Sequence, residues 1–380
     1  MHEVNRSAVK TINDLLREAL SRKASDIHLN PQKEGAAVFL RIDGMLEEVR
    51  TLDTELSGEI ISRLKVLTHL RIDEHQKPQD GRFCFEEIDI RLSIIPTHFG
   101  ERAVLRLLSN TLQTESLDDL GFEKKQIECI DKVLGSKGGM ILCAGPTGSG
   151  KTSTLYRLLQ QTLRPELSIV TIEDPVEFTL QGVVQIPVRQ AQGFTFASAL
   201  RAVLRQDPDV IMVGEIRDEE TARIATSAAL TGHLLFSTIH TIDAASALPR
   251  LFDMGIEPYL IASTVRAVIA QRLVRRLCIN CSRLGATTLQ ERKQYGIGKK
   301  KHYAVGCEAC HQSGYQGRMV VSEVLTVEAN VSEAILAQRS AREIREIVFK
   351  NDVSDIWKDA IQKVRGGVTT LEEVLRVLSE

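Results

Sequence analysis

Val4, Ala8, Ile12, Leu15, Leu16 and Ala19 recur at the spacing of one helix face, with Arg17, Glu18 and Arg22 among and after them. The pattern predicts an N-terminal amphipathic helix, and with its apolar residues spread among charges no export signal is expected there. Strand-like runs follow at 26–29 and 36–42, and an Asp43-Gly44 turn that tolerates positive φ comes next. Leu56, Ile60, Ile61, Leu64 and Leu67 mark a second helix over about 55–70. Residues 83–85, 88–95 and 102–108 alternate as antiparallel strands do. Residues 1–110 therefore read as one small α+β domain, and the polar stretch after it supplies a linker at 111–120.

From Gly121 the pattern changes. Apolar runs at 140–144, 168–172, 183–186, 210–213 and 234–237 alternate with helical stretches at 153–162, 197–205 and 219–230. That alternation predicts a parallel α/β sheet, placed at 121–277. Residues 278–316 form an irregular insert bearing Cys and Gly, and 317–380 return to helix.

The composition, 43% hydrophobic and 26% charged over 380 residues, is that of an ordinary globular protein. It excludes a disordered chain or a disulfide-stapled miniature. Forty-eight Lys and Arg face fifty Asp and Glu, so there is no global basic field for nucleic acid or an anionic membrane. No run approaches the ~20 apolar residues that span a bilayer. A cytoplasmic location is expected.

Gly145-Pro146-Thr147-Gly148-Ser149-Gly150-Lys151-Thr152 has the spacing of a phosphate-binding P-loop, between an apolar strand and a helix that opens near Ser153. Glycines let backbone N–H groups converge on phosphate oxygens, and the helix N-terminus adds partial positive charge. Lys151 can bridge the β- and γ-phosphates of ATP, and the Thr152 hydroxyl can complete a Mg²⁺ shell. The alternative is a chance glycine-rich turn, which the strand before and helix after argue against.

Two more strands run into carboxylates. One ends in Glu173, Asp174 and Glu177, the other in Glu215 before Arg217 and Asp218. In an open parallel sheet, ligands sit beyond the carboxyl ends of the strands. Glu173 and Glu215 are candidates to hold Mg²⁺ or orient an attacking water, the alternative being solvated turns or caps. His240 follows the next strand and so faces the same edge, whereas His233 precedes it.

Cys278 and Cys281 form one CxxC knuckle and Cys307 and Cys310 another. Four thiolates in two knuckles suit a closed, structural Zn²⁺ site with no open position for a substrate water. Unpaired bystanders or a redox dithiol are the alternatives. Cys84, Cys129 and Cys143 lie in or beside apolar runs and are expected in the core.

Taken in order, the P-loop, Glu173-Asp174-Pro175-Val176-Glu177, the stretch 205–218 and the stretch 231–240 resemble the Walker A, Asp box, Walker B and His box of the secretion ATPase superfamily. The GspE/PilB branch, the motors of type II secretion and type IV pilus assembly, is the most similar. Agreement extends through 254–258, 270–275 and the tetracysteine insert, and on the N-terminal side through 24–28, 41–44 and 78–82. The resemblance implies a RecA-like P-loop ATPase domain with a smaller N-terminal PAS-like α+β domain, a tetracysteine zinc subdomain and C-terminal helices. It implies a homohexameric ring whose ATP sites form between the two domains and adjacent subunits. Arg91 and Arg106 match N-terminal arginines that reach the phosphates there, although residue reasoning alone makes both solvated strand residues. It further implies association with the inner face of the bacterial cytoplasmic membrane through an inner-membrane platform protein of the secretion system. Pilus-retraction motors lack the tetracysteine module, which favours an assembly or secretion role.

The chain starts almost directly at the two-domain motor, so an extra N-terminal docking domain is not expected. The leading function is thus a mechanochemical ATPase for type II secretion, type IV pilus or competence machinery, whose domains change their mutual angle with ATP turnover. The alternative is a RecA-like nucleic-acid translocase. One tryptophan and 4% aromatics leave little for base stacking, so no nucleic-acid partner is expected.

Overall fold

The N-terminal amphipathic pattern forms helix α1 (His2–Ser21), whose Ala8, Ile12, Leu15, Leu16 and Ala19 are buried. The computed structural model describes residues 2–108, 116–349 and 354–379. The chain divides into two compact units, 1–113 and 114–380.

In the first unit, β1 (Asp26–Gln32), β2 (Gly35–Ile42) and β3 (Met45–Leu52) precede α2 (Thr54–Leu67), and β4 (Gln79–Phe85), β5 (Ile88–Thr97) and β6 (Gly100–Leu108) follow it. The strands form one antiparallel sheet in the order β3-β2-β1-β6-β5-β4. Asp53 caps α2 by accepting from the Leu56 N–H at 2.8 Å. Apolar residues of α1 and α2 share one core with every other position of the central strands. Cys84 departs from expectation, because edge strand β4 turns it outward and it is exposed.

Of the linker placed at 111–120, residues 111–115 lie outside the described ones. Its remainder holds the short α3 (Leu117–Leu120), where Ser116 and Asp119 cap one another. Helix α4 (Lys124–Leu134) follows, and its outer face carries Cys129, which is exposed rather than in the core.

The second unit is built on β7 (Gly139–Ala144), β8 (Ile169–Glu173), β9 (Val184–Pro187), β10 (Val210–Val213), β11 (Leu234–Ile239) and β12 (Val265–Leu277). Helices α5 (Lys151–Thr162), α6 (Phe196–Val203), α7 (Glu219–Leu230), α8 (Ala247–Asp253) and α9 (Pro258–Thr264) connect them. The insert then forms a hairpin of β13 (Arg283–Ala286) and β14 (Lys300–Tyr303) around α10 (Leu289–Tyr295). Strand β15 (Tyr315–Thr326) returns to the main sheet, whose order is β15-β12-β7-β11-β10-β8-β9. Only β15 runs antiparallel to its neighbour.

Two of these strands, β12 and β15, differ from the sequence pattern. Charged residues interrupt β12, and residues 317–326, placed with the C-terminal helices, extend the sheet instead. Met319, Val320, Val321, Val324 and Leu325 are all buried, and so are Ser322 and Glu323 between them, each held by hydrogen bonds, so two polar residues break the apolar run of a covered strand. Helix resumes at α11 (Ala329–Leu336), followed by α12 (Ala341–Phe349), α13 (Ile356–Arg365) and α14 (Leu371–Leu378).

Helix α14 is tied to β12 by a buried carboxylate. Glu373 accepts from the Arg275 backbone N–H at 3.0 Å, from Arg275 Nη2 at 2.8 Å and from Arg376 Nη2 at 2.7 Å. Burial alone would raise its pKa, but the two guanidinium groups outweigh that and pull it down to about 2. Helix α13 meets the insert where Trp357 stacks on Tyr295, with ring centroids 6.5 Å apart.

Candidate functional site

Strand β7 ends at Ala144 and the chain enters the glycine loop, which closes into α5 at Lys151. Gly150 holds φ at 85°, a left-handed conformation that side chains other than glycine resist. At Gly145 a Cβ would lie 2.6 Å from Ser149 Oγ and 2.7 Å from the Gln271 carbonyl, so the loop tolerates no larger residue there. Lys151 is 8% exposed, and its Nζ donates to the carbonyls of Gly145 at 2.8 Å and Pro146 at 2.9 Å. Burial pushes this ammonium below the usual lysine range. Beneath it, burial pushes the Cys143 thiol up to about 12, which makes it an inert core residue as expected.

Parallel strands β8, β10 and β11 deliver the acidic and histidine boxes to the same sheet edge. Glu173 is 3% exposed. Its Oε1 accepts from Thr171 Oγ1 at 2.6 Å and Gln185 Nε2 at 3.1 Å, and its Oε2 accepts from the Tyr156 hydroxyl. Burial, then this bond, pushes the Tyr156 phenol well above its ordinary pKa. Glu215 is more open. Its Oε2 lies 2.5 Å from Arg217 Nε and 3.4 Å from His240 Nε2.

Residues 147–153, Glu173, Glu215 and His240 line one cavity of about 520 Å³, together with Arg318 from β15. His233 sits elsewhere: its Nδ1 lies 2.9 Å from the Ala228 carbonyl at the end of α7. The loop after His240 is held by buried Glu323, which accepts the Ala244 N–H at 2.9 Å, and by Arg272 Nη2, which donates to the Ile242 carbonyl at 2.8 Å. Sequence reasoning gave Arg318, Glu323, Tyr156 and Gln185 no part in this edge. Their involvement depends on strand order, which no local pattern reveals.

In the first unit, Arg82, Arg91 and Arg106 occupy paired positions across β4, β5 and β6 and line a cavity of about 430 Å³. Arg106 Nε donates to Asp26 Oδ1 at 2.9 Å. Arg82 was not singled out from the sequence, because only the register shows that it shares this rung.

Cys278, Cys281, Cys307 and Cys310 converge, with all four sulfurs within 4.8 Å of one another. The Cys278–Cys307, Cys281–Cys310 and Cys307–Cys310 sulfur separations are 3.9, 3.8 and 3.7 Å. A tetrahedron with metal–sulfur bonds of ~2.3 Å has edges of ~3.8 Å, so these residues fit one metal ion with no fifth position. Backbone N–H groups of Cys307 and Gly314 each donate to the Cys310 sulfur at 3.2 Å, and that of Gly306 to Cys281 at 3.3 Å. Such donors stabilise thiolates.

The sequence pattern of the family described as type II/IV secretion system protein matches residues 2–376. The type IV pilus assembly ATPase PilB of Thermus thermophilus is 43% identical over 379 residues, covering 97% of this chain and 43% of that protein. The type II secretion system ATPase E of Vibrio cholerae is 42% identical over 380 residues, covering 98% of this chain and 75% of that protein. The chain thus spans less than half the length of the first relative and three quarters of the second. Among solved structures, the pilus retraction motor PilT with bound ADP superposes with a TM-score of 0.67 at 25% identity, covering 96% of each chain. The ATPase DotB of Legionella pneumophila, at 22% identity, shares the fold with a TM-score of 0.71 over 96% of this chain and 94% of its own. No helix among the described residues is long and apolar enough to cross a membrane.

Proposed function

The chain belongs to the type II/IV secretion system protein family as an ATP hydrolase of the secretion and pilus-assembly kind, and on that premise we propose that it is a hexameric motor driving pilus or pseudopilus assembly. The observation that carries the reading is the convergence of Lys151, Glu215 and His240 on one cavity at the carboxyl edge of the sheet. Residues 145–153 bind the phosphates through backbone N–H groups, and Lys151 exchanges its carbonyl partners for the β- and γ-phosphates. Thr152 would hold Mg²⁺, which when bound neutralises charge on the phosphate oxygens.

The two carboxylates have different tasks. Glu173 is buried with three donors on its oxygens, so it has little capacity left to accept a proton from water. Glu215 is more accessible and orients the attacking water, and His240 beside it senses the γ-phosphate. Arg91 and Arg106 of a neighbouring subunit supply positive charge to the transferring phosphoryl group. The four cysteines hold a structural Zn²⁺. The motor works in the cytoplasm, at the inner face of the cytoplasmic membrane, on an inner-membrane platform protein.

The test measures steady-state ATP hydrolysis and oligomeric mass for the wild-type chain, Lys151→Ala, Glu215→Gln and Arg91→Ala. Activity that rises with hexamer formation and falls at least ~10²-fold in each variant supports the motor. An active monomer, or normal turnover by Arg91→Ala, overturns the shared-site reading.

A further inference from the structure

The stretch 270–275 lies outside the P-loop and outside the strand ends that carry Glu173, Glu215 and His240, yet it contains a fully buried side-chain amide beside the phosphate loop. Gln271 lies on β12, one residue beyond the Ala270–Ala144 pair that aligns β12 with β7. Its Nε2 donates to the Ser149 carbonyl at 2.8 Å, and its Oε1 accepts from Thr154 Oγ1 at 2.8 Å. The two groups it joins belong to the last part of the loop and the first turn of α5. Its own carbonyl closes on Gly145 from below.

We propose that Gln271 is a positioning residue for ATP binding, a clamp that fixes the phosphate loop in its binding form before nucleotide arrives. In a planar trans peptide the Ser149 carbonyl and the Gly150 N–H point in opposite directions. Pinning that carbonyl towards Gln271 therefore aims the Gly150 N–H away from it. Gly150 at φ 85° has no steric preference of its own to hold the plane, so the orientation must come from outside the loop. The Thr154 hydroxyl completes the clamp. The Ser149 carbonyl, which can only accept, fixes which end of the amide is the donor, and the Thr154 hydroxyl then donates to the oxygen at the other end. An array aimed beforehand spares binding the ordering entropy it would otherwise lose.

This inference rests on the reading of residues 145–152 as the phosphate cradle. It is tested on the full chain with a fluorescent ATP analogue for affinity, ATP turnover for KM and kcat, and thermal melts with and without Mg·ATP. Gln271→Leu keeps the volume and removes both bonds. We expect its affinity to fall about 10-fold, with KM rising by a similar factor while kcat changes less, the signature of lost ground-state binding. Thr154→Val should lower affinity in the same direction, Thr154→Ser less, and the double variant Gln271→Leu/Thr154→Val no further than Gln271→Leu alone. A purely structural amide would lower the melting temperature but leave KM unchanged in the folded fraction, and that result overturns the clamp. Where Gln271→Leu does not fold, the Thr154 pair decides, and wild-type affinity in Thr154→Val overturns it. Lys151→Ala separates the two layers: if it too binds normally, the cradle reading has failed, whereas lost binding there with normal Gln271→Leu condemns the clamp alone.

Discussion

Glu173 and Glu215 stand at the ends of neighbouring strands but in different surroundings. Glu173 is enclosed by Tyr156, Thr171 and Gln185, so its replacement is felt first as stability. Glu173→Gln turns an acceptor into a donor facing one of these groups. It should lower stability by about 1–3 kcal/mol, seen as a lower denaturation midpoint in urea. Glu215→Gln should leave ATP binding intact and slow hydrolysis at least ~10²-fold, visible as trapped nucleotide in a filter assay. The glycine loop between β7 and α5 was legible in the sequence, because its residues form one contiguous run whose spacing is itself the signal. Residues that act by contact were not. Thr154 and Gln271 are separated by 117 positions, and only the adjacency of β12 and β7 brings them together.

At the scale of elements, the strands with apolar runs between turn signals were readable, and so were the amphipathic helices. Strand β12 was not, since Arg266, Gln271, Arg272, Arg275 and Arg276 break its pattern. Each has a local reason that only the fold supplies. Arg275, for example, turns to Glu373 and lies over the Tyr315 ring at 4.0 Å. That bond makes a pH prediction. Glu373 titrates near 2 in the folded chain and near its ordinary 4.5 when unfolded. Its contribution to stability is complete above pH 4.5 and is lost as pH falls towards 2. Urea melts of the wild-type chain and Glu373→Gln should therefore differ at pH 7 and converge as the pH approaches 2. The gathering of the four cysteines, by contrast, was legible from the two CxxC spacings alone. The purified chain should carry one zinc ion per subunit by elemental analysis, and Cys310→Ser should lose it and melt at a lower temperature.

At the scale of the whole molecule, the division into an antiparallel unit and a parallel α/β unit follows from the change of period near residue 121. The rung of Arg82, Arg91 and Arg106 did not, because register is invisible until strands are paired. If these side chains serve a neighbour's nucleotide, mixing inactive Lys151→Ala chains with inactive Arg91→Ala chains should restore part of the ATPase activity. The complementing sites would each combine an intact loop with an intact arginine. Added DNA or RNA should not stimulate turnover.

The stacked pair of Trp357 and Tyr295 has a practical consequence. It joins α13 to the helix carried between the two cysteine knuckles, and the chain has no other tryptophan. All indole emission from this protein therefore arises at one joint. Stripping the metal with a chelator should redden and weaken that emission as the joint opens to water, giving a label-free optical readout of the insert's docking.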